Sequence, residues 1–205
     1  IETATQIAID YPDLSVGGIC ADFSQRVDWP QLAKKDQARR LAFFPGSTIG
    51  NQTPDEAGQF LHYIRHMVGD KGNLLIGVDL KKNPEILNRA YNDVAGHTAD
   101  FNLNLLQRIK SELNGDLDIS AFSHNAFYND KLSRVEMHLV SKLNQSIQID
   151  GQKFHFKVGE TIHTENSYKY SQAEFINLAF KSGFDILKSW SDKNNYFAVY
   201  CLKAI

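Results

Sequence analysis

At 205 residues, with 42% hydrophobic and 22% charged side chains, the chain can bury a sizeable core as one large domain or one domain with an elaborated insertion. Its 22 basic and 24 acidic residues leave a net charge of −2, and no basic run supplies the electrostatic footprint of a nucleic-acid binder. The longest apolar runs, such as residues 73–78, are too short to span a bilayer, and the first residues lack the basic start and apolar stretch of a signal peptide, so neither a nucleic-acid nor a membrane partner is expected.

In chain order, Ile1–Ile9 reads as a short helix stopped at Tyr11-Pro12-Asp13, because the residue before a proline is pushed out of the helical region. The chain opens without Met inside that helical stretch, so a fragment of a longer protein is expected. Leu14–Phe23 reads as a buried strand and Leu41–Phe44 as a second, closed by Pro45-Gly46. Thr53-Pro54-Asp55-Glu56 opens a helix: Thr53 caps, Pro54 suits the first turn and Glu56 completes a capping box. That helix runs to about Val68 and stops at Gly69. Asn73–Leu80 is apolar throughout, as in a parallel strand covered on both faces. Asn83-Pro84-Glu85 starts another helix, and Phe101, Leu105, Ile109 and Leu113 mark a longer one ending near Gly115.

After residue 117 the texture becomes antiparallel. Val135, Met137 and Leu139 alternate with polar residues, and Asp150-Gly151 sits between two alternating runs, a hairpin signal. Ser171-Gln172-Ala173-Glu174 is a second capping box, followed by a short helix with a glycine stop at Gly183. Phe184–Trp190 and Tyr196–Leu202 then form two strands around a turn at 193–195. Strands alternating with helices before residue 80 imply βαβ units and a mostly parallel sheet. Cys20 and Cys201 each lie in an apolar, strand-like run; both are expected to be small buried hydrophobes, and the lack of a disulfide framework suits a reducing cytoplasm.

The segment Phe44-Pro45-Gly46-Ser47-Thr48-Ile49-Gly50-Asn51 follows a buried strand, so it lies at the carboxyl edge of the sheet, where ligands of open α/β sheets bind. Its glycines allow close backbone approach and Ser47, Thr48 and Asn51 add short polar groups, although a plain strand-to-helix loop would look the same. Asp22-Phe23 ends a strand at that edge and could bond an amine and stack on an adenine; a helix cap or surface turn is the plainer reading. Glu165 and Ser167 could meet an N–H-bearing group or simply lie in a solvated loop. Tyr91 offers a hydroxyl or sits on an amphipathic helix, and Met137 is by default a core strand residue. His62 and His66 share a helix face, but the pattern His-Tyr-Ile-Arg-His lacks the glutamate of a zincin helix and no cysteine pair or acidic cluster completes a site, so no metal is expected. There is no Gly-x-Ser-x-Gly elbow or Gly-Lys-Ser phosphate loop.

Taken together, Ala21-Asp22-Phe23, residues 44–51, Gly77-Val78-Asp79-Leu80, Ala90-Tyr91-Asn92-Asp93 with Phe101-Asn102-Leu103-Asn104, Val135-Glu136-Met137 and Thr164-Glu165-Asn166-Ser167-Tyr168-Lys169 resemble the histidine-specific Nα-methyltransferases of ergothioneine biosynthesis. The resemblance implies a class I, Rossmann-like methyltransferase core: 1–80 as its first part, 81–165 as an inserted α+β substrate-binding domain, and 166–205 as the return to the core with an antiparallel C-terminal hairpin. It implies S-adenosylmethionine as cofactor, contacted by Asp22, Phe23, Gly46 and Ser47, and free histidine as substrate, methylated on its α-amine to trimethylhistidine. Asn51 and Tyr91 would hold the carboxylate and amine end; Glu165 and Ser167 would read the imidazole, with Met137 packing beside it. No side chain is assigned as a catalytic acid or base. The family's glycine-rich cofactor loop and the acidic ribose ligand after it have no counterpart here, so this chain is expected to be inactive alone. The alternatives are a methyltransferase for another amino acid or small amine, and a non-catalytic binding module.

Overall fold

The computed structural model describes residues 2–22 and 39–205. The chain divides into two compact units, Ile1–Ala38 and Arg39–Ile205.

In the first unit, helix α1 (Glu2–Asp10) ends where expected and buries none of its residues. Residues 14–22 differ from expectation. They form no strand, Leu14 and Ile19 are exposed, and Cys20 is exposed rather than buried. A strand is stable only when its backbone groups are paired, and no described element pairs with this stretch; Gly17-Gly18 also weaken its strand preference.

The second unit holds a four-stranded sheet in the order β1-β2-β9-β8, made of β1 (Leu41–Phe44), β2 (Asn73–Asp79), β8 (Phe184–Ser191) and β9 (Phe197–Ala204). Only β1 and β2 run parallel. The β2–β9 and β9–β8 pairs are antiparallel, so the described sheet is mixed rather than mostly parallel. Helix α2 (Pro54–Val68) starts at the expected capping box, in which Thr53 and Glu56 satisfy each other's backbone amides, and stops at Gly69 with φ 73°. Helix α5 (Gln172–Lys181) starts at the Ser171/Glu174 box and is followed by Gly183 at φ 87°. Leu61, Ile76, Val78, Phe175, Tyr200 and Leu202 centre a continuous apolar core between these helices and the sheet. Each fully buried aliphatic side chain there contributes about 1.5–3 kcal/mol.

A second sheet, β3-β4-β7, is wholly antiparallel: β3 (Phe122–Asn129), β4 (Arg134–Ser141) and β7 (Thr161–Tyr168). Strands β5 (Gln145–Ile149) and β6 (Gln152–Phe156) form the hairpin read from Asp150-Gly151, both at positive φ as the tight turn requires. Helices α3 (Pro84–Tyr91) and α4 (His97–Glu112) pack on the three-stranded sheet. Helix α4 is where expected, but of its apolar stripe only Ile109 packs against a core cluster. Phe101, Leu105 and Leu113 are exposed, while Asn102 and Leu106 are buried. Asn102 is held there because its amide nitrogen donates to the His124 ring and the His138 carbonyl, which offsets part of the cost of burying it, while its Oδ1 is left without a partner. Among the described residues no helix is long and apolar enough to cross a membrane. Cys201 is half-buried in β9.

One irregularity in β7 sets the orientation of its side chains. Met137 pairs with Glu165 and His138 with His163, so Thr164 is an extra residue in a β-bulge. Its hydroxyl donates to the Met137 carbonyl at 3.0 Å. In a regular strand His163 and Glu165 would share a face; the bulge sends them to opposite faces.

Candidate functional site

The Pro45–Asn51 loop is held between the two sheets. Gly77 on β2 lies so close beneath it that a Cβ there would come within 1.9 Å of the Pro45 carbonyl oxygen. Ser47 takes a left-handed conformation (φ 55°), which a side-chain-bearing residue adopts at a cost of about 1–2 kcal/mol. That conformation aims its hydroxyl at the Asp79 amide, which donates to it at 2.8 Å. Thr48–Asn51 then form a 3-10 turn in which Gly50 meets β7: a Cβ on Gly50 would stand 2.9 Å from the Tyr168 carbonyl oxygen and 3.5 Å from Ser167 Oγ. Asn51 thereby reaches the Glu165 side chain and hydrogen-bonds it.

Tyr91 closes helix α3 and donates from its hydroxyl to Ser167 Oγ at 2.9 Å. Lys169 binds this pair together. Its side chain is only 1% exposed, and its ammonium donates to Tyr91 Oη at 2.9 Å, to Ser167 Oγ at 2.7 Å and to the Asp79 carboxylate at 2.7 Å. All three ammonium hydrogens are thus used, as a buried lysine requires. Asp79 also pairs with Lys82, and the Tyr91 ring lies 4.9 Å from the Lys169 nitrogen, within cation–π range.

Beside this network lies an open recess of about 350 Å³, walled by Tyr91, His97, Thr98, Phe101, Met137 and Glu165. Met137 is buried among Leu87, Ala126 and Val135, on β4 opposite Glu165. Burial pushes the Glu165 carboxyl up from its ordinary value; the Lys169 charge and the Asn51 hydrogen bond act in the opposite direction without cancelling the shift. A half-buried carboxylate with raised proton affinity is ready to accept a hydrogen bond from a ligand N–H that replaces water.

Asn51, Tyr91, Met137, Glu165 and Ser167 are therefore brought together around one recess and the network at its edge. Gly46 and Ser47 lie in the loop that reaches it, and the space in front of Gly46 is open: the nearest atom to a Cβ there would be Thr48 Oγ1 at 3.7 Å. A ligand could approach the backbone there. Asp22 belongs to the first unit and is exposed, and Phe23 lies outside the described residues. The sequence reading assigned no role to three residues: Lys169, Asp79 and Phe101. Lys169 and Asp79 stand in the motifs Ser-Tyr-Lys and Gly-Val-Asp, and Phe101 is an aromatic on the exposed stripe of α4. A lysine placed two residues after the candidate Ser167 was the available signal. A separate group, Glu136, His138 and His163, has its ligand atoms within 4.8 Å of one another on the face of the sheet that the bulge turns away from Glu165.

A family profile described as histidine-specific methyltransferase, SAM-dependent, matches residues 1–204. The histidine N-alpha-methyltransferase of Mycobacterium tuberculosis (strain CDC 1551 / Oshkosh) is 36% identical over 200 residues, which cover 96% of this chain and 61% of that protein. The histidine N-alpha-methyltransferase of Mycolicibacterium smegmatis is 33% identical over 196 residues, 94% of this chain and 60% of that one. The chain thus spans about 60% of the length of these curated relatives. Among solved structures, the PH0226 protein from Pyrococcus horikoshii OT3 superposes with a TM-score of 0.51 at 13% identity, covering 100% of this chain and 69% of that one, a likeness of fold alone.

Proposed function

The chain belongs to the family of histidine-specific, S-adenosylmethionine-dependent methyltransferases, and from that membership we propose that the protein it is part of methylates the α-amine of free L-histidine, ultimately to trimethylhistidine. The observation that carries the reading is that Tyr91 and Glu165 wall one amino-acid-sized recess, with Asn51 hydrogen-bonded to Glu165 behind it. S-adenosylmethionine, when bound, supplies a methyl group on a sulfonium. Gly46 and Ser47, with Asp22 and Phe23, are proposed to hold it, the open backbone at Gly46 allowing close approach. Residues 81–165 are proposed to act as a substrate-binding insertion in a core made of 1–80 and 166–205.

In this reading Asn51 and Tyr91 hold the carboxylate and amine end of the amino acid. Glu165 and Ser167 accept and donate hydrogen bonds at the imidazole, and Met137 packs against the ring. Each residue proposed for one end is bonded to one proposed for the other, Asn51 to Glu165 and Tyr91 to Ser167, so the two ends of the site are mechanically coupled. The reacting amine must be neutral, whereas in water it is an ammonium. Lys169, its charge offset by the ion pair with Asp79, holds the Tyr91 hydroxyl in place beside that amine. The side chains otherwise contribute by orienting the amine and excluding water.

Calorimetry on the full-length protein tests the assignment. Glu165→Ala should weaken histidine binding by about 10–100-fold, the equivalent of about 1.4–2.8 kcal/mol, while leaving S-adenosylmethionine binding within about twofold. Equal losses for both ligands would refute the role given to Glu165. A panel of free amino acids in a methyl-transfer assay, with histidine preferred, tests the substrate.

A further inference from the structure

We infer that Glu136, His138 and His163 form a site for a divalent transition-metal cation of the zinc class, on the face of the β3-β4-β7 sheet opposite the amino-acid recess. Glu136 and His138 are two apart on β4 and share that face, and the Thr164 bulge turns His163 onto it from β7. The three donors, two imidazoles and one carboxylate, are the set that zinc takes in open sites, with the fourth position left to solvent.

The geometry favours ligation over a simple ion pair. The Glu136 carboxylate is divided between two tasks. Its Oε1 accepts from Asn129 at 3.0 Å and from Nε and Nη2 of Arg134, at 2.9 and 2.8 Å. Its Oε2 meets only His138 Nε2, at 3.3 Å. Two ligand atoms each about 2.1 Å from one zinc ion at a tetrahedral angle would stand about 3.4 Å apart. The aim of the carboxylate is fixed from behind, since Arg134 is also held by the Tyr168 hydroxyl at 2.7 Å. His138 Nδ1 is buried without a partner, so the Glu136 carboxylate is the group that sets the proton on that ring. The His138 ring is held between Phe127 and His163, at centroid distances of 5.3 and 4.6 Å. His163 is exposed, its Nε2 lies 3.2 Å from the Glu165 carbonyl oxygen, and the three donor groups have ligand atoms within 4.8 Å of one another. An ion bound there would tie β4 to β7 at the bulge, directly behind Met137 and Glu165. Arg134 offsets the carboxylate charge, so binding is weaker than at a site whose carboxylate is unpaired.

The test is a titration of zinc chloride into the full chain, after chelator dialysis, followed by calorimetry. Substitution with cobalt(II) gives visible absorption that reports the coordination geometry. We expect one ion per chain. His163→Ala, an exposed position whose loss leaves the core intact, should weaken binding by about 100-fold or more, and Asn129→Ala by about tenfold. The doubly substituted His62→Ala/His66→Ala chain controls for the other described histidine pair, whose ring nitrogens lie 3.0 Å apart on α2, and should bind as the parent does. Absence of binding by the parent chain, parental affinity in His163→Ala, or loss of binding in the His62/His66 variant would each overturn the site.

Discussion

The two sheets of the second unit are built on different chemistry. The four-stranded sheet is dry on its packed face: β2 contributes the buried Leu74, Ile76 and Val78, and the core there is one continuous apolar cluster from Ile49 to Ala204. The three-stranded sheet has two small apolar clusters and buries Asn102, Glu136 and Ser167 among its strands and helices. Apolar packing is non-directional and yields a stiff frame, whereas buried polar groups must be individually satisfied and so specify individual side-chain positions. The candidate site lies where the two meet, with its loop supplied by the dry sheet and its polar walls by the wet one. Lys169 is the seam: it leaves the end of β7 and pairs with Asp79 at the end of β2, while neighbouring backbone groups of Leu80 and Tyr170 bridge the same junction.

Cutting the seam should have the largest effect. Lys169→Met leaves Asp79 with Lys82 alone and removes a donor from both Tyr91 and Ser167, and should destabilise the chain by about 3–5 kcal/mol in urea unfolding. A loss below about 1 kcal/mol would show that the two sheets do not depend on it. Next come matched truncations that compare the cores. Ile76→Ala, in the large cluster, should cost about 4 kcal/mol, while Met137→Ala, in a small cluster beside an open recess, should cost about 2 kcal/mol because the site can relax. Equal costs would erase the distinction between a stiff frame and an adaptable one.

A smaller effect is expected from Gly50→Ala. The new methyl would press on the Tyr168 carbonyl, costing about 1–3 kcal/mol, and histidine affinity should fall by more than the stability loss alone implies, since Asn51 moves with Gly50. The smallest effect concerns acid. The Thr98 amide, with the Thr98 side chain and the His97 amide, holds the Asp93 carboxyl down at about 2 against an ordinary 3.8. Because the folded value is the lower one, the stabilisation is complete above the ordinary value and fades as pH falls from 3.8 towards about 2. Amide exchange in the first turn of α4 should therefore quicken across that window, and Asp93→Asn should remove the pH dependence.

Much of this was legible along the chain because it depends on neighbours a few residues apart. The boxes at Thr53/Glu56 and Ser171/Glu174, the turn at Asp150-Gly151 and the apolar run of β2 follow from capping, positive φ and burial pattern. The candidate site residues Asn51, Tyr91, Met137, Glu165 and Ser167 were named because short motifs carried the family resemblance, not because their spacing implied contact.

Only the tertiary structure decided the rest. Whether residues 14–22 become a strand depends on a partner strand, which no local rule contains. The buried face of α4 joins Leu106, Leu103 and Ile109, packed into a core cluster, with Asn102, hydrogen-bonded to β3 and β4, a combination that the Phe101–Leu113 spacing does not contain. The Thr164 bulge, by turning His163 and Glu165 apart, places a carboxylate in the recess and an imidazole on the far face, although the two residues are separated by one position in sequence. Lys169 meets Asp79 only because β7 and β2 end side by side. Sequence thus determined the elements and their caps through interactions of a few residues' range. Side-chain facing and long-range charge pairing were left to the packed chain, where burial makes each unsatisfied polar group costly.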